Sequence, residues 1–152
     1  MSKVKIEFLV LFVGAVFILN SPAAHAVIKA NSGDVVVFNT PIQTYLPFQM
    51  RLLVCTKANS CASQDLEIIG KPSSILKSKE YYVFSLNKIK NTGKKTIYAQ
   101  MKGLNESNWS TGFVLINDYE ADESPFYQFI CWYSENKIPN CSTGSDDNLL
   151  PD

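Results

Sequence analysis

The chain has 152 residues, 46% of them hydrophobic, and its 14 basic side chains are balanced by 14 acidic ones. With no basic excess, a nucleic-acid partner is not expected. The sequence holds one histidine, His25. It lies in a segment expected to be removed, and this excludes Ser-His-Asp and Cys-His hydrolases and His-bearing zinc sites.

Residues 1–26 read as a cleavable secretory signal peptide. Lys3 and Lys5 supply the positive start, Phe8–Leu19 an uncharged apolar run of 12 residues, and Ala24-His25-Ala26 a small-residue cleavage site. A membrane anchor would need roughly 20 apolar residues, and Asn20, Ser21 and Pro22 end this run early. With no cysteine near the site, a lipoprotein is excluded. Cleavage after Ala26 leaves Val27–Asp152, with 12 basic and 13 acidic side chains and a formal charge of −1. A chain of that size buries about two thirds of its extended surface, enough for one domain with its own core. The expected compartment is secreted or periplasmic, and the mature protein is not expected to span a membrane.

The mature chain shows short runs of two-residue alternation between turn signals, and no long helical stripe. An edge strand is admitted over Val27–Ala30, before the turn signal Asn31-Ser32-Gly33. Strands are expected over Asp34–Asn39 and Gln49–Thr56. In the latter, Met50, Leu52 and Val54 share one face, and Gln49, Arg51, Leu53 and Cys55 the other.

Four cysteines, Cys55, Cys61, Cys131 and Cys141, point to two disulfides in an oxidising compartment. Of the three pairings, loop-closure entropy favours the local pairs Cys55–Cys61 and Cys131–Cys141. A four-cysteine zinc site lacks the usual close spacing. A strand follows over Leu66–Ile69, ended by Gly70-Lys71-Pro72. Ser74-Ile75-Leu76-Lys77 has the Ser-x-x-Lys spacing of penicillin-recognising enzymes, but the companion elements are missing and the match is read as accidental.

Tyr81–Leu86 is the next strand. The lysine-rich stretch Lys88–Lys95, with the turn Asn91-Thr92-Gly93, precedes a strand over Lys95–Lys102, in which Ile97, Ala99 and Met101 oppose Thr96, Tyr98, Gln100 and Lys102. Residues 51–103 hold ten basic and three acidic side chains, and residues 104–152 hold one and nine. Lysines on turns and wet strand faces keep β proteins soluble, and that is the preferred reading over an anionic partner.

Asn105-Glu106-Ser107, Asn108-Trp109-Ser110 and Asn140-Cys141-Ser142 are glycosylation sequons, meaningful in a eukaryotic host. A strand is expected over Thr111–Asn117. The acidic stretch Asn117–Ser124 alternates oxygen-bearing residues but lacks the glycine and distal glutamate of an EF-hand, and is read as a solvated connection. After Glu123-Ser124-Pro125 comes Phe126–Tyr133, apolar on both faces. Trp132 and Tyr133 are the candidate contact surface, because rings bring large area at little entropic cost. Residues 142–152 are expected to be a flexible tail.

Seven or eight short strands without crossover helices predict an all-β, antiparallel two-sheet sandwich over residues 27–141, immunoglobulin-like or another Greek key. A small β-barrel is the alternative. A true immunoglobulin domain is disfavoured, because no tryptophan follows the first cysteine at the required spacing. No catalytic residue, cofactor or metal site is expected. The functional expectation is an exported, disulfide-braced, non-catalytic module that binds a protein or glycan partner. The alternative is a small secreted hydrolase using a carboxylate pair.

Overall fold

The computed structural model describes residues 28–40, 45–57, 60–77, 80–86, 89, 93–121 and 123–144. The signal segment, its cleavage site, and tail residues 145–152 lie outside the described residues, as do Lys88, Lys90, Asn91 and Thr92. Eight strands appear among the described residues: β1 Asp34–Asn39, β2 Phe48–Cys55, β3 Leu66–Leu76, β4 Tyr81–Phe84, β5 Lys95–Gly103, β6 Phe113–Tyr119, β7 Phe126–Tyr133 and β8 Pro139–Thr143. A 3-10 turn at Ser63–Asp65 precedes β3.

The strands form two four-stranded sheets. Sheet I has the order β4-β1-β7-β8 and sheet II the order β3-β2-β5-β6. The sheets are separate and pack face to face, so the fold is a sandwich and not a closed barrel. All pairings are antiparallel except β1 with β7, which run parallel from Asp34↔Phe126 to Asn39↔Cys131. Parallel neighbours cannot be joined by a hairpin. Here five strands lie between β1 and β7 in the chain, and the path crosses to sheet II and back twice.

The core is built by alternation. Val35 and Val37 of β1 and Phe129, Cys131 and Tyr133 of β7 face Phe48, Met50, Leu52 and Val54 of β2 and Ile97, Ala99 and Met101 of β5. The intervening residues Gln49, Arg51, Tyr98, Gln100 and Lys102 are half-buried on the outward side of sheet II. Leu53, also outward, is buried because Ile68 and Tyr98 flank it on the neighbouring strands.

Three expectations are corrected by tertiary pairing. Gly70-Lys71-Pro72 does not end the third strand. Met50 pairs with Ser74 and Leu52 with Ile69, so four β3 residues stand opposite one β2 residue, and the strand bulges and continues to Leu76. Ser142 and Thr143 belong to β8, not to the tail. The chain over 28–30 carries no strand.

The cysteines pair as Cys55–Cys61 and Cys131–Cys141. Neither bridge joins the two sheets. The second links residues directly opposite on β7 and β8, in contrast to the inter-sheet bridge of immunoglobulin domains. Two intramolecular disulfides suit an oxidising extracellular environment.

One turn explains how β1 enters the sandwich. Gly33 has φ +79°, and a Cβ there would lie 2.7 Å from the Ala121 carbonyl oxygen and 2.8 Å from the Tyr119 hydroxyl. Its own carbonyl accepts a 2.8 Å bond from that buried hydroxyl, tying the end of β6 in sheet II to the start of β1 in sheet I.

Candidate functional site

Adjacent residues on a strand point to opposite faces, and this separates Trp132 from Tyr133. Tyr133 is 3% exposed, with its ring packed near Phe48 in the core. It offers no surface to a partner. Trp132 is half-buried on the outward side of sheet I, where the Tyr45 ring, from the segment leading into β2, lies 6.0 Å away.

The registers place the neighbours of Trp132. Outward residues of β1 and β4 form the rows Phe38–Tyr81 and Val36–Val83, and β7 adds Phe126, Gln128 and Ile130. Asn140 and Ser142 of β8 complete the face. The one charged residue in these rows is Asp34, opposite Phe126 at the start of β1, and it is buried. Val36, between Val83 of β4 and Gln128 of β7, is 0% exposed although it lies on the outward side. Phe38 and Tyr81 rings lie 5.7 Å apart, and Tyr81 is still 41% exposed. The result is a sheet face rich in aromatic and aliphatic side chains, its one charge buried, with a partly open edge. The sequence signal was the double-sided apolarity of Phe126–Tyr133. The contributions of Phe38, Tyr81, Val83 and Tyr45 depend on strand order and were not visible in it.

Beneath this face, the inward Tyr133 anchors a polar latch between the sheets. Its hydroxyl donates a 2.6 Å hydrogen bond to Glu106 Oε2, in the β5–β6 connection. The Gly103 amide donates to the same oxygen at 2.9 Å, and Lys137 Nζ lies 3.2 Å from Oε1. The Tyr133 bond, then the Gly103 amide, hold the Glu106 carboxyl down to about 2. Burial, then the Glu106 contact, push the Tyr133 phenol up to about 12.

The signs set a pH profile. Glu106 ionises more readily in the folded chain, so its contribution is present above the ordinary value of 4.5 and is lost as pH falls toward about 2. Tyr133 ionises less readily, so its contribution is present below 10.0 and is lost as pH rises toward about 12. Tyr133→Phe should therefore remove the alkaline limb and make the acid limb shallower, read as urea midpoints across both windows. A variant whose two limbs match the wild type would show that the latch does not couple to folding.

The other motifs are dispersed. Ser74 is buried and Lys77 exposed; on an extended strand, residues three apart face opposite ways, whereas a lysine activating a serine needs one helical turn. In the acidic stretch, the Glu120 carboxyl is raised chiefly by a side-chain hydrogen bond shared with Glu123, then by burial. Among the described residues, no group of three or more His, Cys, Asp or Glu side chains is placed to hold a metal ion. The sequon asparagines Asn105, Asn108 and Asn140 are all exposed. No family model, curated protein or solved structure matches the chain.

Proposed function

We propose that the protein is an exported, non-catalytic binding module, secreted or periplasmic, that engages a protein or glycan partner through the outward face of sheet I. The observation that carries this reading is the cluster of aromatic and aliphatic side chains Trp132, Tyr45, Phe38, Tyr81, Val83 and Ile130 on that face. A folded chain gains nothing by leaving such rings half-covered, and contiguous exposed apolar surface marks interaction sites. Two disulfides brace the scaffold for life outside the cytosol. Rings held on paired strands lose little entropy on contact, which suits binding.

Affinity capture from the native extracellular milieu tests this, comparing the wild type with Trp132→Ala and with the double variant Lys94→Ala/Lys95→Ala. Trp132→Ala should weaken capture by about 2 kcal/mol or more with little salt dependence. The lysine changes should matter mainly at low ionic strength. If Trp132→Ala leaves capture intact while the lysine changes abolish it, the face assignment is wrong. One observation favours the rival hydrolase: Glu120 and Glu123 share a hydrogen bond that raises Glu120. Turnover of model glycosides that is lost in Glu120→Gln would replace the binding reading.

A further inference from the structure

The outward side of sheet II carries a different chemistry. Trp109, from the β5–β6 connection, lies against two cations. Its ring centroid is 4.4 Å from Arg51 Cζ and 4.9 Å from Lys102 Nζ. Arg51 on β2 stands opposite Gln100 on β5, and Lys102 stands opposite Gln49. Arg51 Nε donates a 2.8 Å hydrogen bond to Gln100 Oε1, which fixes the guanidinium plane.

The donors in this cluster outnumber its acceptors. The ion pairs among the described residues are Lys57–Asp65 and Lys137–Glu106, so neither Arg51 nor Lys102 is neutralised by a carboxylate there. Among the described residues, the terminal guanidinium nitrogens, Lys102 Nζ, the Trp109 indole N–H and the Gln100 amide nitrogen have no acceptor, and the one acceptor oxygen of Gln100 is taken by Arg51. Side chains that could have turned to solvent are gathered around one indole instead.

We infer that Arg51, Lys102, Gln100 and Trp109 form a binding site for an acidic glycan, a polysaccharide bearing carboxylate or sulfate groups. The Arg51 fork matches a carboxylate or sulfate edge with two parallel hydrogen bonds, and Lys102 adds a second charge. Trp109 offers a flat apolar surface to the C–H face of a sugar ring, and the glutamine amides face its hydroxyls. The site runs along the paired strands β2 and β5, an arrangement suited to an extended polymer. The strands of sheet II carry Arg51, Lys71, Lys95 and Lys102 against Glu67 and Asp118, a positive balance that draws a polyanion toward this sheet. This site lies on the opposite sheet from Trp132, so its test and the test of the sheet I face succeed or fail separately.

The experiment titrates the exported protein with heparin, polygalacturonate, neutral dextran and poly-L-glutamate at several salt concentrations. Heparin or polygalacturonate should bind, with affinity falling as salt rises, and dextran should not. Arg51→Gln and Trp109→Ala should each weaken binding by about tenfold or more. Lys71→Gln, a basic residue that packs over Tyr82 instead, should change it little. Near-UV circular dichroism checks the fold, and if Trp109→Ala disrupts it, Arg51→Gln and Lys102→Gln carry the test. Equal losses from Lys71→Gln and Arg51→Gln would reduce the binding to non-specific charge and overturn the site. Poly-L-glutamate binding as tightly as the glycans would overturn the ligand assignment, and so would the absence of glycan binding.

Discussion

Phe48→Ala is expected to cost about 3–5 kcal/mol of folding stability, the range for deleting a fully buried aromatic ring. Phe48 is 0% exposed and opens β2, the strand through which sheet II is joined on both sides. It pairs with Leu76 of β3 and Gly103 of β5, and its ring lies 6.5 Å from that of Tyr133 across the sandwich. Alanine there leaves a cavity whose walls are held in two different sheets, so the site has little freedom to collapse. Since a domain of this kind is stable by only about 5–15 kcal/mol, the loss is a large share of the whole. Urea midpoints measure it directly. Val114→Ala, at a position 53% exposed, is the control and should fall within about 0.5 kcal/mol of the wild type. Similar midpoints for the two variants would mean that the sandwich core is not centred where we place it.

Replacing Cys131 and Cys141 together by alanine is expected to cost about 3 kcal/mol, from the entropy returned to a ten-residue loop in the unfolded chain. The effect should also be local. β8 is a five-residue polar edge strand that begins with proline, so its side chains contribute little packing. Its attachment rests on the bridge and on backbone bonds to β7, which the Gly144 amide extends by donating to the Gln128 carbonyl at 3.2 Å. Hydrogen exchange should show the β8 amides losing protection well before those of β2 and β5. Asn140 stands opposite Trp132, so loosening β8 should also weaken any contact made at Trp132. Uniform exchange across sheet I in the double variant would show that β8 holds without the bridge.

The candidate sites were legible to different degrees. Trp132 could be found because Phe126–Tyr133 is apolar on both faces, a pattern that a strand with one wet side does not need. That Tyr133 would be lost to the core follows from alternation only once the inward face of β7 is known, and Cys131 and Phe129 settle that face by facing β2 and β5. Arg51 and Lys102 gave no signal, since they are 51 residues apart in the chain and meet only through the β2–β5 register. Glu106 and Tyr133 likewise sit in segments that read as unrelated.

What the amino-acid order determined by itself is the local grammar. Period-two alternation in Met50-Arg51-Leu52-Leu53-Val54 and Ile97-Tyr98-Ala99-Gln100-Met101 selects strands and their buried faces, because a pleated chain sends successive side chains to opposite sides. An even cysteine count with short polar inserts selects two local bridges, because short loops close at the least entropic cost. Strand order, the parallel β1–β7 pair, the β3 bulge and the recruitment of β8 were decided by tertiary structure. Backbone hydrogen bonds carry no side-chain label, so a polar segment such as Pro139–Thr143 becomes a strand only when β7 presents an open edge and Cys131 a partner. The same cause places the two proposed surfaces: each is a set of residues distant in sequence, brought to one sheet face by pairing that no local pattern encodes.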